Sequence, residues 1–475
     1  MTTTRLLAAV LASTALPALA QAPTPAAQRR TAPVAIAVDA VVAKLRDGAL
    51  KDELAYDIVE GLTTEVGPRL AGTEAEARAR TWGAARLKAL GFKNVRIESY
   101  QMPVWVRGEE QAEIVSPFPQ RLVLNALGNS GATPPGGLTA QVAVFSTLND
   151  LVAAPDTAVR GKIVYVGNAM EPTQDGSSYG QAGAARFSGP GIASKKGAAA
   201  IVIRSIGTDA HRMPHTGVTD FPAGVAPIPA AALSVPDAKL IEAMATHGKP
   251  ITMRLLLTPR QTGMHESGNV IAEVPGRDPA AGIVLIGGHL DSWDLGTGAI
   301  DDASGVAITT AAAKRILDSG RRPRRTIRVV WFGAEEVGGF GGEVYAKAHG
   351  RERHAVASES DFGADRVWRV ETELPGGAKP VADRLAAALA PLGIVRGTGK
   401  AGDGSDIAPI VALGTAGVDL NQSGLRYFDT HHTPDDTLDR VDQAQLAQNV
   451  AAWTTMLAVV ADAPEEIGPV VRAPR

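Results

Sequence analysis

The sequence predicts an α/β protein whose mostly parallel central sheet is flanked by helices and interrupted by a long β-rich insert. Two observations carry this expectation. From Asn269 to the C-terminus, β-type runs alternate with helical ones, and alternation of that kind builds a mostly parallel sheet covered on both faces. Between residues 118 and 258 the pattern changes to many short β-type runs with only short helical stretches between them. A third observation locates the chemistry: four acidic or histidine clusters follow directly on β-type runs, where open α/β sheets carry functional groups.

Taken in chain order, residues 1–20 have the layout of an export signal, with Arg5, an apolar Leu6 to Leu16 core and Ala18-Leu19-Ala20 before Gln21. A periplasmic or secreted protein is the expectation. The apolar core is too short to span a bilayer and no later window reaches that length, so no membrane partner is expected. Residues 21–33, rich in Ala, Pro, Thr and Gln, have little to bury and read as a disordered leader or pro-segment. The main domain is assigned to 34–117 and 259–475, with 118–258 inserted between its two parts. Apolar residues at helical spacing from Glu53 to Leu90, broken at Gly67-Pro68-Arg69 and Gly72-Thr73, predict two helices joined by a turn, with the strand Asn94 to Met102 after them.

Strand-like runs inside the insert include Gln141 to Phe145, Lys162 to Val166, Ala199 to Ile203 and Ile251 to Leu257. Downstream come Ile283 to Ile286, a buried strand, and helices expected at Ala303 to Asp318, Gly342 to Ala348, Pro380 to Leu392 and Asp442 to Ala461.

Composition narrows the function classes. At 475 residues the chain exceeds one ordinary core. Its formal net charge of −3 and the absence of a basic stripe argue against nucleic acid, and Arg321-Arg322-Pro323-Arg324-Arg325 reads as a solvated turn. There is no cysteine, which excludes disulfides and thiolate sites and leaves His, Asp and Glu as the strong metal ligands.

Gly287 to Gly305, GGHLDSWDLGTGAIDDASG, supplies an imidazole and several carboxylates just past a buried strand. Glu335-Glu336 follow Thr326 to Phe332, Asp361 follows His354 to Ala357, and His431-His432 follow the Val418 to Tyr427 region. Four such clusters at successive strand ends make a composite metal site. His211, His247, His265, His349 and His354 carry no spacing signal and read as surface or helix-end residues.

His289, Asp301, Glu335-Glu336, Asp361 and His432, in this order, resemble the co-catalytic zinc peptidases of family M28. Gly67-Pro68-Arg69-Leu70, Trp105 to Glu110 and Pro214-His215-Thr216-Gly217 extend the likeness over nearly the whole chain after the signal. The resemblance implies a zinc exopeptidase fold with a protease-associated domain at 118–258, a homodimer and two Zn2+ per chain. In it, Asp301 bridges the ions, His289 and Asp361 hold one, Glu336 and His432 hold the other, and hydrolysis runs through a metal-bridging hydroxide. Three carboxylates and a hydroxide then offset two divalent charges.

Adjacent acids on a turning backbone point apart, so one can ligate while the other faces the water. Glu335 is the expected general base; a Glu pair opening a helix with favourable dipole charges is compatible with this. Asp291 is expected to accept from the His289 ring and fix its tautomer. Asp302 reads as the cap of the following helix, with direct metal contact as the alternative. His431 is either a donor to the reacting carbonyl or a packing residue, Tyr427 is a further candidate, and His215 either reaches the cleft or shapes a turn.

A silent binding module of the same fold would lack ligands or base, whereas every expected position here is filled. The expected reaction is hydrolysis of dipeptides or short peptides with a free C-terminus, as in carboxypeptidase members of the family, with aminopeptidase activity as the alternative. Asp403 or Asp406 would serve a free amine, and Arg426 or Arg204 a free carboxylate.

Overall fold

The computed structural model describes residues 36–402 and 404–471; the export signal, the leader and Asp403 lie outside them. From Ala37 onward the chain forms two eight-stranded sheets with helices against them. In the first, the strands run in the order Lys93–Val106, Arg260–Val274, Thr326–Phe332, Ile283–His289, His354–Glu359, Ala416–Gln422, Val367–Glu373, Val395–Arg396. Its four middle strands are mutually parallel, as the alternating pattern predicts. The flanks are less regular. Arg260–Val274 joins antiparallel and pairs with Lys93–Val106 in a long ribbon, and Val367–Glu373 joins antiparallel at the other side.

The middle strands are largely apolar because both faces are covered. Ile283–His289 is buried at every position. Helix Ser304–Asp318 lies against it so closely that a Cβ on Gly305 would meet the Asp302 carboxylate and the Ser360 carbonyl, and one on Gly288 would come within 2.8 Å of the same carbonyl. Two glycines thus let the helix start, the strand end and the neighbouring loop converge on one point. On the other part of the sheet, Gly83 of helix Glu74–Ala89 sits against the Trp331 ring, where a Cβ would lie 2.5 Å from Cζ3. Helix Gln443–Val460, capped by Asp442, is buried along nearly its whole length.

The second sheet is built entirely from residues between Glu110 and Leu257. It begins earlier than the change of composition near 118, because Glu110–Ser116 pairs antiparallel with Thr252–Leu257 and the Pro117 region is only the turn into Gln120–Leu122. It also has a parallel core, Leu138–Phe145, Ile163–Val166, Ala200–Arg204 and Ala230–Leu233, with helices such as Ser178–Phe187 and Val235–Thr246. The first of these is rich in Ala and Gly, which blurs apolar periodicity in the sequence. Leu70, Trp105 and Trp293 insert into the hydrophobic core of this second sheet.

The arginine cluster is a solvated turn only in its first half, Arg321 and Arg322. Arg325 is fully buried and donates to the carbonyls of Ala281, Val460, Ala463 and Glu465, while Arg324 reaches Asp278, Ala463 and Pro464. A guanidinium has enough donors to close several carbonyl ends at once, so the cluster fastens the chain after the last helix.

Among the described residues, no helix is long and apolar enough to cross a membrane.

Candidate metal centre

The C-terminal ends of the four parallel strands bring the sequence-predicted ligands to one place. His289 ends its strand, Asp301 lies in the connection that follows, Glu335 and Glu336 follow Thr326–Phe332, Asp361 follows His354–Glu359, and His431-His432 follow the short helix Tyr427–Thr430. Asp301 is central. Its Oδ1 lies 3.0 Å from His289 Nε2 and its Oδ2 3.2 Å from His432 Nε2. Each imidazole meets one more carboxylate: His289 Nε2 is 3.5 Å from Asp361 Oδ1, and His432 Nε2 is 2.9 Å from Glu336 Oε2. The result is two nitrogen-and-oxygen half-sites sharing one carboxylate.

These groups fit cations. Asp301 Oδ2 and Glu336 Oε1 are buried without a hydrogen-bond partner, a costly arrangement that a bound ion would relieve. The donors are imidazole and carboxylate, the set that zinc takes in the absence of thiolates. Triads of ligand atoms within 4.8 Å of one another include His289–Asp301–Glu336, His289–Asp302–Asp361 and Asp301–His431–His432. Burial alone would raise the Asp301 carboxyl, but the hydrogen bond to His289 and the close approach of the His432 and His431 imidazoles hold it well below the usual carboxylate range.

The adjacent acids differ in environment. Glu336 is buried, whereas Glu335 is half-buried at the open side. The pair follows directly on Ala334, which takes φ +59°, a left-handed conformation that costs a side-chain-bearing residue energy and that clusters at functional sites. Burial raises the Glu335 carboxyl well above its ordinary value; His289 opposes this and Asp361, Glu336 and Asp291 add to it. His432 also sits at φ +59°.

The surrounding shell corrects one expectation. His289 Nδ1 meets the backbone carbonyl of Asp291 at 2.9 Å, while the Asp291 carboxylate lies 3.7 Å away and accepts instead from the Glu335 N–H at 3.1 Å. The tautomer is thus fixed by the main chain, because the turn after the strand presents that carbonyl first. Asp302 accepts from Gly305 N and from His289 N, so its carboxylate caps the helix and tethers the strand end. His431 stacks on His432 with ring centroids 3.6 Å apart and reaches Asp301 alone, at 3.4 Å. Tyr427 is buried against His431 and Phe362. His215 comes from the second-sheet segment and its ring lies nearly parallel to that of His432, centroids 5.7 Å apart.

Two residues that sequence reasoning gave no role hold the connection bearing Asp301. Arg69, fully buried, donates from Nε to Leu290 O at 2.5 Å, from Nη1 to Thr297 O at 2.6 Å and from Nη2 to Gly298 O at 2.9 Å. Asp436 accepts from the N–H groups of Ala299, Ile300 and Asp301. Their signals were faint: an Arg beside Gly-Pro in a turn, and an Asp four residues past a histidine.

Of the substrate-end candidates, Asp406 is buried and donates its N–H to Glu359, Arg426 pairs with Asp365, and Arg204 lies 3.5 Å from Glu242. Asp403 lies outside the described residues. His354 proves buried rather than superficial, against Tyr345.

Residues 269–457 match Peptidase family M28. The chain is 35% identical to carboxypeptidase Q of Bos taurus over 421 residues, 86% of this chain and 86% of that protein. Among solved structures it is similar to a peptidase M28 precursor from Shewanella amazonensis SB2B, with 48% identity, a TM-score of 0.89 and coverage of 91% of this chain and 98% of that one. BSAP, a zinc aminopeptidase from Bacillus subtilis, shares the fold at 19% identity with a TM-score of 0.62 over 87% of this chain and 97% of that chain. With its ligand-type residues gathered at one sheet edge, the chain belongs to peptidase family M28 and is a metallo-exopeptidase.

Proposed function

We propose that the chain is a zinc-dependent exopeptidase with two Zn2+ ions, hydrolysing dipeptides or short peptides in the manner of a carboxypeptidase. The observation that carries this reading is the division of Asp301, one oxygen toward His289 and Asp361 and the other toward His432 and Glu336. His289 and Asp361 would hold one ion, His432 and Glu336 the other, and Asp301 both. The bound pair would supply Lewis acidity, making a water acidic near neutral pH and polarising the scissile carbonyl.

The remaining steps belong to the chain. Glu335, half-buried beside the ligands with its carboxyl raised by burial, accepts the proton of the attacking water and returns it to the leaving amine. Asp291 holds the Glu335 backbone in place, and Arg69 and Asp436 hold the Asp301 connection rigid. Residues 118–258 act as a protease-associated domain bordering the cleft and restricting substrate length. The export-signal layout of residues 1–20 supports a periplasmic or secreted location.

The carboxypeptidase reading rests on the relatives named above, and matched peptides test it. Initial rates should survive acetylation of the substrate N-terminus and fall at least tenfold on amidation of its C-terminus. The reverse pattern would assign an aminopeptidase.

A further inference from the structure

We propose that Arg186 is a positioning residue for the metal ligand His432, so that the second-sheet segment completes one of the two metal half-sites. The inference rests on the two-zinc reading above. Arg186, in helix Ser178–Phe187, is 2% exposed and has no carboxylate among its hydrogen-bonding partners. Burying a guanidinium without a counter-ion is expensive, and it persists only where its donors are well used. Here both Nη groups are spent beside the metal centre, while Nε is buried without a partner. Nη1 lies 2.6 Å from His215 Nε2 and 3.3 Å from the Thr216 carbonyl, and Nη2 donates to the Tyr179 hydroxyl at 2.6 Å.

Each of those partners leads to the His431-His432 pair. The Thr216 carbonyl lies 3.3 Å from His432 Nδ1, and the Thr216 N–H donates to the His432 carbonyl at 3.0 Å. Arg186 Nη1 also lies 3.4 Å from His432 Nδ1; with Nε2 as the metal ligand that Nδ1 would carry the proton and the Thr216 carbonyl would be its acceptor, so Arg186 acts by holding this carbonyl and not by donating to the ring. The His215 ring stacks on His432, and the Tyr179 ring meets His431 edge-on at 5.4 Å. Gly217 has no side chain to spare for this arrangement, since a Cβ there would collide with the Arg186 guanidinium. On the far side, Arg107 donates to the Thr216 hydroxyl at 3.0 Å and pairs with Asp294 in the connection between His289 and Asp301. The Pro214-His215-Thr216-Gly217 stretch therefore acts as a clamp closed on His432, with Arg186 as its pin.

Zinc binding to the metal-free full chain, followed by calorimetry, separates this role from general packing. The wild type should bind two equivalents in resolvable steps. Arg186→Met should weaken one step by about 10–100-fold, the usual range for removing a group that orients a metal ligand, and leave the other within about threefold. Arg186→Lys, which keeps a donor near the Thr216 carbonyl, should recover part of that loss. Tyr179→Phe, which only loosens the guanidinium, should weaken the same step less; it and Arg186→Lys carry the test if Arg186→Met does not fold. Unchanged affinities beside a lowered melting temperature would leave Arg186 a structural residue and overturn the proposal. Equal weakening of both steps would also overturn it. A wild type that binds fewer than two equivalents would instead remove the two-zinc reading on which the proposal stands.

Discussion

Glu335→Gln is expected to lower turnover by at least about 10²–10⁴-fold while both zinc ions stay bound. The substitution keeps size and removes basicity. The prediction follows from the contrast between neighbours: Glu336 is buried with Oε2 2.9 Å from His432 Nε2, whereas Glu335 is half-buried beyond the left-handed turn at Ala334 and its backbone is tied to Asp291. Glu336→Gln should behave otherwise. A neutral amide is a poor ligand for a divalent cation, so one site should weaken and activity should come to depend on added zinc. Zinc content and turnover measured on both variants distinguish the roles. Should Glu335→Gln lose metal while Glu336→Gln keeps it, the two assignments are exchanged.

The second large effect is expected at Arg69, far from any proton transfer. Arg69→Met would remove the donor that now joins the carbonyls of Leu290, Thr297 and Gly298, of which Gly298 alone keeps a second donor, the Ala303 N–H. Stranding a buried acceptor costs about 1–3 kcal/mol, and the two carbonyls left without a donor place the expected loss of stability at about 2–6 kcal/mol. Because these carbonyls belong to the connection that carries Asp301, zinc affinity should fall with stability. Arg69→Lys should recover little, since an ammonium cannot span three acceptors as a guanidinium does. A urea midpoint and zinc affinity both close to wild type in Arg69→Met would show that Asp436, which binds the same connection through Ala299, Ile300 and Asp301, suffices without it.

The parts of the fold that were legible in the sequence are those where one local pattern dominates. The buried run from Ile283 and the acids past Thr326–Phe332 show themselves because strands covered on both faces must be apolar and the chemistry begins where they stop. The choice of His289, Asp301, Glu336, Asp361 and His432 within those clusters came from the resemblance to family M28 and not from the strand pattern. What was hidden depends on contacts between distant segments. Thr216 acts through its main-chain carbonyl, which no residue type announces. Arg69, Arg186 and Arg325 look like ordinary surface arginines in sequence and prove buried because acceptors from elsewhere in the chain converge on them, carbonyls at Arg69 and Arg325, and chiefly His215 and the Tyr179 hydroxyl at Arg186. The Asp291 carboxylate looked like the partner of His289, but backbone direction after the strand gives that place to its own carbonyl. In the second-sheet segment, Ala- and Gly-rich helices carry too little apolar contrast to be read beside clear β-type runs.

The account turns on Asp301 joining two metal ions, and a zinc titration tests that most directly. Zinc is added stepwise to the metal-free chain, and peptide hydrolysis is recorded together with the zinc bound per chain. Activity should rise with the first equivalent and reach its full value only with the second, since the shared carboxylate serves two half-sites, His289 with Asp361 and His432 with Glu336. Full activity at one equivalent, with no further gain as more zinc binds, would contradict it, for Asp301 would then have nothing to bridge.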